Sequence, residues 1–131
     1  MITGTLFGQL VSKANSRQAV PTRTKSGRSF TRFIKSSKAF EFEESALYQL
    51  KSIMRGKEAL KGSLRLDCII YYPSRRSDND PSLLMDILQK AGVYENDRQI
   101  DILHSEKRLD TLNPRVVFTV YETEEDNLQA L

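Results

Sequence analysis

The stretch Ser63–Tyr72, SLRLDCIIYY, constrains the fold more than any other part of the chain. In an extended conformation Leu64, Leu66, Cys68, Ile70 and Tyr72 fall on one face, and Arg65, Asp67, Ile69 and Tyr71 on the other. A face that is apolar along its whole length demands a partner layer. Pro73 lacks the amide a strand needs and ends it. Immediately beyond lies Arg75–Ile100, RRSDNDPSLLMDILQKAGVYENDRQI, in which two polar turns flank a short apolar helix.

The other elements follow from period and punctuation. Ile2–Val11 reads as a strand. Ser12–Lys25 is polar and basic with one proline, the pattern of a long loop or mobile arm; Gly27 then allows a turn into a short strand over Ser29–Ile34. Together these make a basic arm or hairpin over about 12–35. Ser36 or Ser37 can cap a helix running to about Met54, with Phe42, Ala46, Leu50 and Ile53 as its buried stripe. Glu41, Glu43 and Glu44 suit the start of that helix, and Lys51 and Arg55 its end. A second helix is expected over Pro81–Ala91, with Asp80 as N-cap, Pro81 at the first helical position and Gly92 as stop. Gln99–Leu103 and Pro114–Glu122 read as further strands, and the acidic tail from about 123 to 131 as frayed. The order implies one α+β domain over residues 1–131, a mixed β-sheet flanked by two main helices. A chain of 131 residues can bury such a core without staples.

Charge is distributed unevenly. The first forty residues contain Lys13, Arg17, Arg23, Lys25, Arg28, Arg32, Lys35 and Lys38 and no acid at all, whereas the remainder is net acidic. That asymmetry points to a polyanionic partner, more strongly than the formal net charge of +3 does. Cys68 is the lone cysteine, so no intramolecular disulfide forms. No apolar run is long enough to cross a bilayer, and Met1–Val11 lacks the pattern of a secretion signal. A soluble, cytoplasmic protein without membrane contact is expected. The single histidine, His104, argues against a serine or cysteine triad. There is neither a CxxC pair for zinc nor a GxxxxGK[ST] loop for ATP.

Chemistry concentrates in the stretch after Pro73. Asp78 and Asp80 stand in a turn between a strand and a helix, Asp86 lies on that helix, and Asp97 arrives from the loop YENDRQ. Gathered carboxylates cost folding free energy unless a cation sits among them, and oxygen ligands suit Mg²⁺. Such an ion would polarise a phosphodiester and activate water for in-line attack, with Arg75 and Arg76 holding the phosphate. The same residues admit plainer readings. Asp80 is explained as a helix cap, Asp97 as a turn former, and the cluster as a purely structural cation site.

At these residues the sequence resembles the RusA family of Holliday-junction resolvases, small Mg²⁺-dependent endonucleases common in phages and prophages. The resemblance rests on Arg75–Arg76, Asp78–Asn79–Asp80, Asp86–Ile87–Leu88, Ala91–Gly92–Val93 and Asn96–Asp97–Arg98–Gln99–Ile100, with the N-terminal SKANSR stretch also similar. It implies Asp78, Asp80 and Asp97 as catalytic residues, and these three with Asp86 as ligands of Mg²⁺, for which Mn²⁺ can substitute. It implies a homodimer that nicks opposed strands of a four-way junction symmetrically, in DNA recombination and repair, inside a bacterial or phage-infected cell. Lys13, Arg17, Arg23, Lys25, Arg28, Arg32, Arg75, Arg76 and Arg98 would then contact DNA. The dimer surface is expected on an exposed apolar face of the Pro81–Ala91 helix or on an edge strand. Two departures stand out. The segment from the Asp-x-Asp turn to Asp86 is shorter than the family's, so a gapless match keeps Asp78 and Asp97 but not Asp80. The family's lysine after the turn is absent, with Ser82, Leu83 and Leu84 in its place. Arg75, Arg76, Arg98 or the basic arm would have to supply its charge. A catalytically impaired module that binds branched DNA is the rival reading.

Overall fold

The computed structural model describes residues 1–12, 15 and 17–123; Lys13 and the acidic tail from 124 onward lie outside the described residues. In chain order the elements are β1 (Ile2–Phe7), β2 (Arg17–Arg23), β3 (Ser29–Lys35), α1 (Ser37–Ile53), β4 (Leu64–Tyr72), α2 (Ser82–Lys90), β5 (Ile100–Leu109) and β6 (Arg115–Glu122), with a 3-10 turn at Asp97–Gln99. The main sheet has the order β1-β6-β4-β5. β4 pairs parallel with β5 and antiparallel with β6, which in turn pairs antiparallel with β1. The parallel pair requires a crossover, and α2 supplies it. This is the α+β domain with a mixed sheet and two helices that the sequence leads one to expect.

Alternation in SLRLDCIIYY becomes an inner face: Leu64, Leu66, Cys68, Ile70 and Tyr72 are all buried. Val116, Phe118 and Val120 of β6 join them, and Phe42, Ala46 and Leu50 of α1 and Leu83, Leu84, Ile87 and Leu88 of α2 belong to the same core, with Ile2 and Leu6 of β1. At roughly 1.5–3 kcal/mol for each large apolar side chain buried, this layer is the main stabilising term. Helix α1 starts where a cap is available, since the Ser36 hydroxyl accepts from the Ala39 amide at 3.3 Å. Gly4 lets β1 run close beneath α1: a Cβ there would lie 2.6 Å from Cδ1 of Ile53.

Three segments differ from expectation. The first strand stops at Phe7, although Leu10 and Val11 beyond it are buried. The arm has the hairpin form that was one expectation, but its first limb, read as a loop, is a strand: β2 pairs antiparallel to β3 from Arg17↔Lys35 to Arg23↔Ser29. Its residues are mostly exposed, so the polar stretch with Pro21 gave little strand signal. β5 continues to Leu109, because a parallel ladder with β4 carries the polar residues His104–Arg108 along a sheet edge. The apolar side of α2, one expected dimer surface, is instead spent on the core through Leu83, Leu84, Ile87 and Leu88. The edges of the main sheet are β1 and β5.

Candidate functional site

The turn after β4 is tied down on two sides. Asn79 Nδ2 donates to the Ser105 carbonyl at 2.8 Å, and the Ser105 hydroxyl returns a bond to Asn79 Oδ1 at 2.7 Å. Lys107 Nζ donates to the Ser77 carbonyl at 3.0 Å. Both partners come from β5, so the turn hangs from the strand beside its own. On the other side Asp80 Oδ1 accepts from the Ser82 amide at 2.9 Å. The N-cap of α2 is Pro81, which makes no side-chain cap bond, so Asp80 stands one residue before the capping position expected of it and closes a local turn ahead of the helix, which starts at Ser82.

The loop bearing Asp97 is held more tightly still. Asn96 and Gln99 form a reciprocal capping box around the 3-10 turn. Gln99 Nε2 also donates to the carbonyls of Leu60 at 3.2 Å and Gly62 at 3.1 Å. The Asp97 amide donates to Gln89 Oε1 of α2 at 2.8 Å. Asp97 is therefore docked against α2, the helix that carries Asp86.

These two aspartates meet in a cavity of about 370 Å³ whose wall also contains Ser82 and Lys90 of α2 and Arg17 and Lys35 from the base of the hairpin. Ser82, Asp86 and Lys90 recur at four-residue intervals, which places them on one side of the helix. Behind the wall, Tyr94 is buried and its hydroxyl donates to the Met85 carbonyl at 2.6 Å. Burial first, then the charges of Asp97 and Asp86, push its phenol far above the ordinary range.

Two of the four expected acidic ligands are thus brought together. Asp78, exposed, and Asp80 sit in the neighbouring turn and are not part of that wall. Among the described residues no three Asp, Glu, His or Cys side chains converge on one point. The donors are nonetheless of the right kind. A small divalent cation such as Mg²⁺ keeps several waters and needs only one or two carboxylates directly. Asp86 and Asp97 meet that requirement, with Ser82 beside them and the Asp78–Asp80 turn at the head of the same helix.

The expected DNA contacts divide by place. Arg17 lines the cavity. Arg23, Lys25, Arg28 and Arg32 are exposed along the hairpin and its tip, and Arg76 and Arg98 are exposed near the turns. Arg75 borders a second hollow of about 310 Å³ with Lys107 and Arg108.

Lys35, Lys90 and Glu43 were not among the expected site residues. Glu43 is only 8% exposed and pairs with both Lys35 and Lys90, joining hairpin, α1 and α2 behind the cavity. Burial pushes its carboxyl up, but the two lysines outweigh that and hold it below the ordinary glutamate value. Glu43 in turn holds the Lys90 ammonium protonated more firmly than usual. The Asp86–Lys90 spacing was a readable signal for Lys90; the long-range partner of Glu43 was not.

Because Glu43 titrates lower in the folded state, it contributes stability that is present above pH 4.5, its ordinary value, and lost as pH falls through the folded value. Glu43→Gln should therefore lower Tm at pH 7, by an amount equivalent to about 2 kcal/mol, a figure between exposed and buried ion pairs. The gap to wild type should shrink steadily below pH 4.5. Parallel melting curves against pH check this, and a gap independent of pH would contradict the role of the pair.

The family model described as "Endodeoxyribonuclease RusA" matches residues 11–121. A relative from Aquifex aeolicus (strain VF5), named crossover junction endodeoxyribonuclease RusA, is 28% identical over 101 residues, which cover 75% of this chain and 76% of the relative.

Proposed function

Because the chain belongs to the RusA family of endodeoxyribonucleases, we propose that it resolves four-way DNA junctions by paired, metal-dependent nicks. Its class, a hydrolase acting on DNA, comes with the family. The observation that supports the finer reading is the cavity in which Asp86 and Asp97 lie beside three cations, Arg17, Lys35 and Lys90. Two acids hold a divalent ion, and the cations draw the phosphate backbone that the acids alone would repel.

Asp86 and Asp97 would hold the ion, with Asp78 and Asp80 supplied by the adjoining turn. When bound, Mg²⁺, or Mn²⁺ in its place, supplies a polarised phosphate and a water acidic enough to attack. The chain's own groups do the remainder. Lys90 acts as a fixed positive charge, because Glu43 keeps it protonated; it is no general base. In this position it provides the charge that the family's missing lysine would have given. Arg17 and Lys35 hold the strand across the cavity, and Arg75, with Lys107 and Arg108 around its own hollow, takes the backbone beyond it. Asn79 keeps the acidic turn in register with β5.

Each centre cuts one strand, so resolving a junction requires two centres and hence a homodimer. With the apolar side of α2 closed inside the core, an edge strand, β1 or β5, is the surface left from the expected pair. No helix among the described residues is long and apolar enough to cross a membrane.

The rival reading, a module that binds branched DNA without cutting it, is favoured by the separation of Asp78 from Asp86 and Asp97. A synthetic four-way junction with Mg²⁺, run beside a linear duplex of the same sequence, decides between them. Paired symmetric nicks on the junction alone are expected. Tight binding without nicks, across several divalent metals, would give the rival first place.

A further inference from the structure

Seen along its strands, the β2–β3 hairpin has two faces. Opposed residues of an antiparallel pair project to the same side, and that side alternates along each strand. Arg17, Ala19 and Arg23 therefore share one face with Lys35, Phe33 and Ser29. At its base, Arg17 and Lys35 line the cavity that holds Asp86 and Asp97, so this face continues the cavity outward. Cations stand at both ends of it. The interval between them is uncharged, and Phe33 is its one aromatic side chain.

Phe33 is 68% exposed. A single exposed apolar side chain is ordinary on a protein surface, but the neighbours of this one are not. The residue opposite it is Ala19, too small to cover the ring. Lys35 lies two residues along the strand, about 7 Å away at the usual rise, within reach of a nucleotide whose phosphate rests on Arg17 and Lys35. A groove of cations with an aromatic face among them is the combination that holds unpaired nucleic acid: phosphates go to the charges and a base stacks on the ring. In a continuous duplex each base is covered by its neighbours, and a ring gains a partner only by unstacking a step. Where DNA branches the stack is interrupted, and exposing a base costs less.

We propose that Phe33 is the residue by which this centre distinguishes branched DNA from duplex, its ring stacking on an unpaired base next to the phosphate held by Arg17 and Lys35. The proposal rests on the nuclease reading above and adds what the cations alone do not supply, since charges grip one phosphate backbone much as another. Phe30 is the internal comparison. It too is exposed, but it lies on the other face of the hairpin, opposite Thr22 and on the side of Arg32.

The test is Phe33→Ala in the full chain, with anisotropy of a labelled four-way junction and of a linear duplex in EDTA, so that no cutting is needed. Junction affinity should fall roughly 10- to 100-fold, the range for one base stacked on an aromatic ring, while duplex affinity stays close to wild type. The salt slope should not change, because no charge is lost. Phe33→Tyr, which keeps the ring, should restore junction affinity, and Phe30→Ala should leave it near wild type. Phe33→Trp gives a direct reading, since the chain contains no tryptophan. Its emission should be quenched by the junction and by a single-stranded oligonucleotide, and much less by duplex. Equal losses on junction and duplex, or unchanged junction affinity, would overturn the proposal. So would a wild-type dimer that Phe33→Ala turns into a monomer without DNA, since the ring would then serve a second copy of the chain. If wild type shows no preference for the junction, the junction reading fails and the role of Phe33 with it; if wild type shows the preference and Phe33→Ala keeps it, only the role of Phe33 fails.

Discussion

Asp97→Asn should cut junction nicking by roughly 10²- to 10³-fold at saturating metal, the scale of losing one preorganised electrostatic group, because an acid that would hold the ion is gone. The substitution keeps shape and volume. It leaves in place what positions the residue, because the bond to Gln89 comes from the Asp97 amide and the capping box belongs to Asn96 and Gln99. Only a carboxylate charge disappears from a wall it shares with Asp86. Metal-free Tm should therefore stay level or rise slightly, since two like charges no longer face one cavity. Junction affinity in EDTA should hold or improve for the same reason. Asp86→Asn should behave alike, as the second acid on that wall. Asp78→Asn is the informative contrast: Asp78 is exposed and off the wall, so its loss of activity measures how much the adjoining turn contributes to the site. Nicking by Asp97→Asn within tenfold of wild type would sink the assignment of the centre to this cavity.

Legibility in the sequence followed the range of the interaction involved. Local signals were sufficient for the extents of α1 and α2 and for the cap of α1, where Ser36 acts as its residue type suggests and the apolar stripes become the core; the N-cap of α2 falls to Pro81, one residue past the expected Asp80. Strict alternation was sufficient for β4, whose inner face is buried from Leu64 to Tyr72. It failed for β2, which has no face to bury and contains Pro21, and for the far half of β5, whose pairing depends on β4 more than on its own residues. The site shows the same division. Asp86 and Asp97 could be suspected from spacing, yet the cavity that unites them depends on Gln89 meeting the Asp97 amide, a contact between two elements. Glu43 read as a helix-dipole charge; its partners Lys35 and Lys90 lie in the hairpin and in α2, and only the packed fold makes the three a unit.

The second large effect expected is on binding, and it lies in the hairpin. Arg23, Lys25, Arg28 and Arg32 are exposed on β2, β3 and the turn between them, and no acidic residue lies in this part of the chain to neutralise them. The hairpin pairs only with itself in a two-stranded sheet, and its base carries Arg17 and Lys35 to the wall of the cavity. Geometry of this kind lets the hairpin follow a backbone away from the centre that cuts it. If each of the four cations meets one phosphate, each contributes about 0.9 of a decade of affinity per decade of salt. Changing all four to alanine should then reduce the log–log salt slope by roughly 3 to 4 and the affinity at about 0.1 M salt by roughly 10³-fold. The fold should hardly notice, since exposed surface substitutions stay within about 0.5 kcal/mol. Anisotropy of a labelled junction in EDTA, titrated with salt, measures both quantities, and melting curves check the fold. The Mn²⁺-induced rise in Tm should be untouched, because none of the four lines the cavity. A slope equal to that of wild type would show that the hairpin makes no backbone contact. Arg75, Lys107 and Arg108 at the second hollow would then be the next cations to replace, since they flank the same acidic turn from the side of β5.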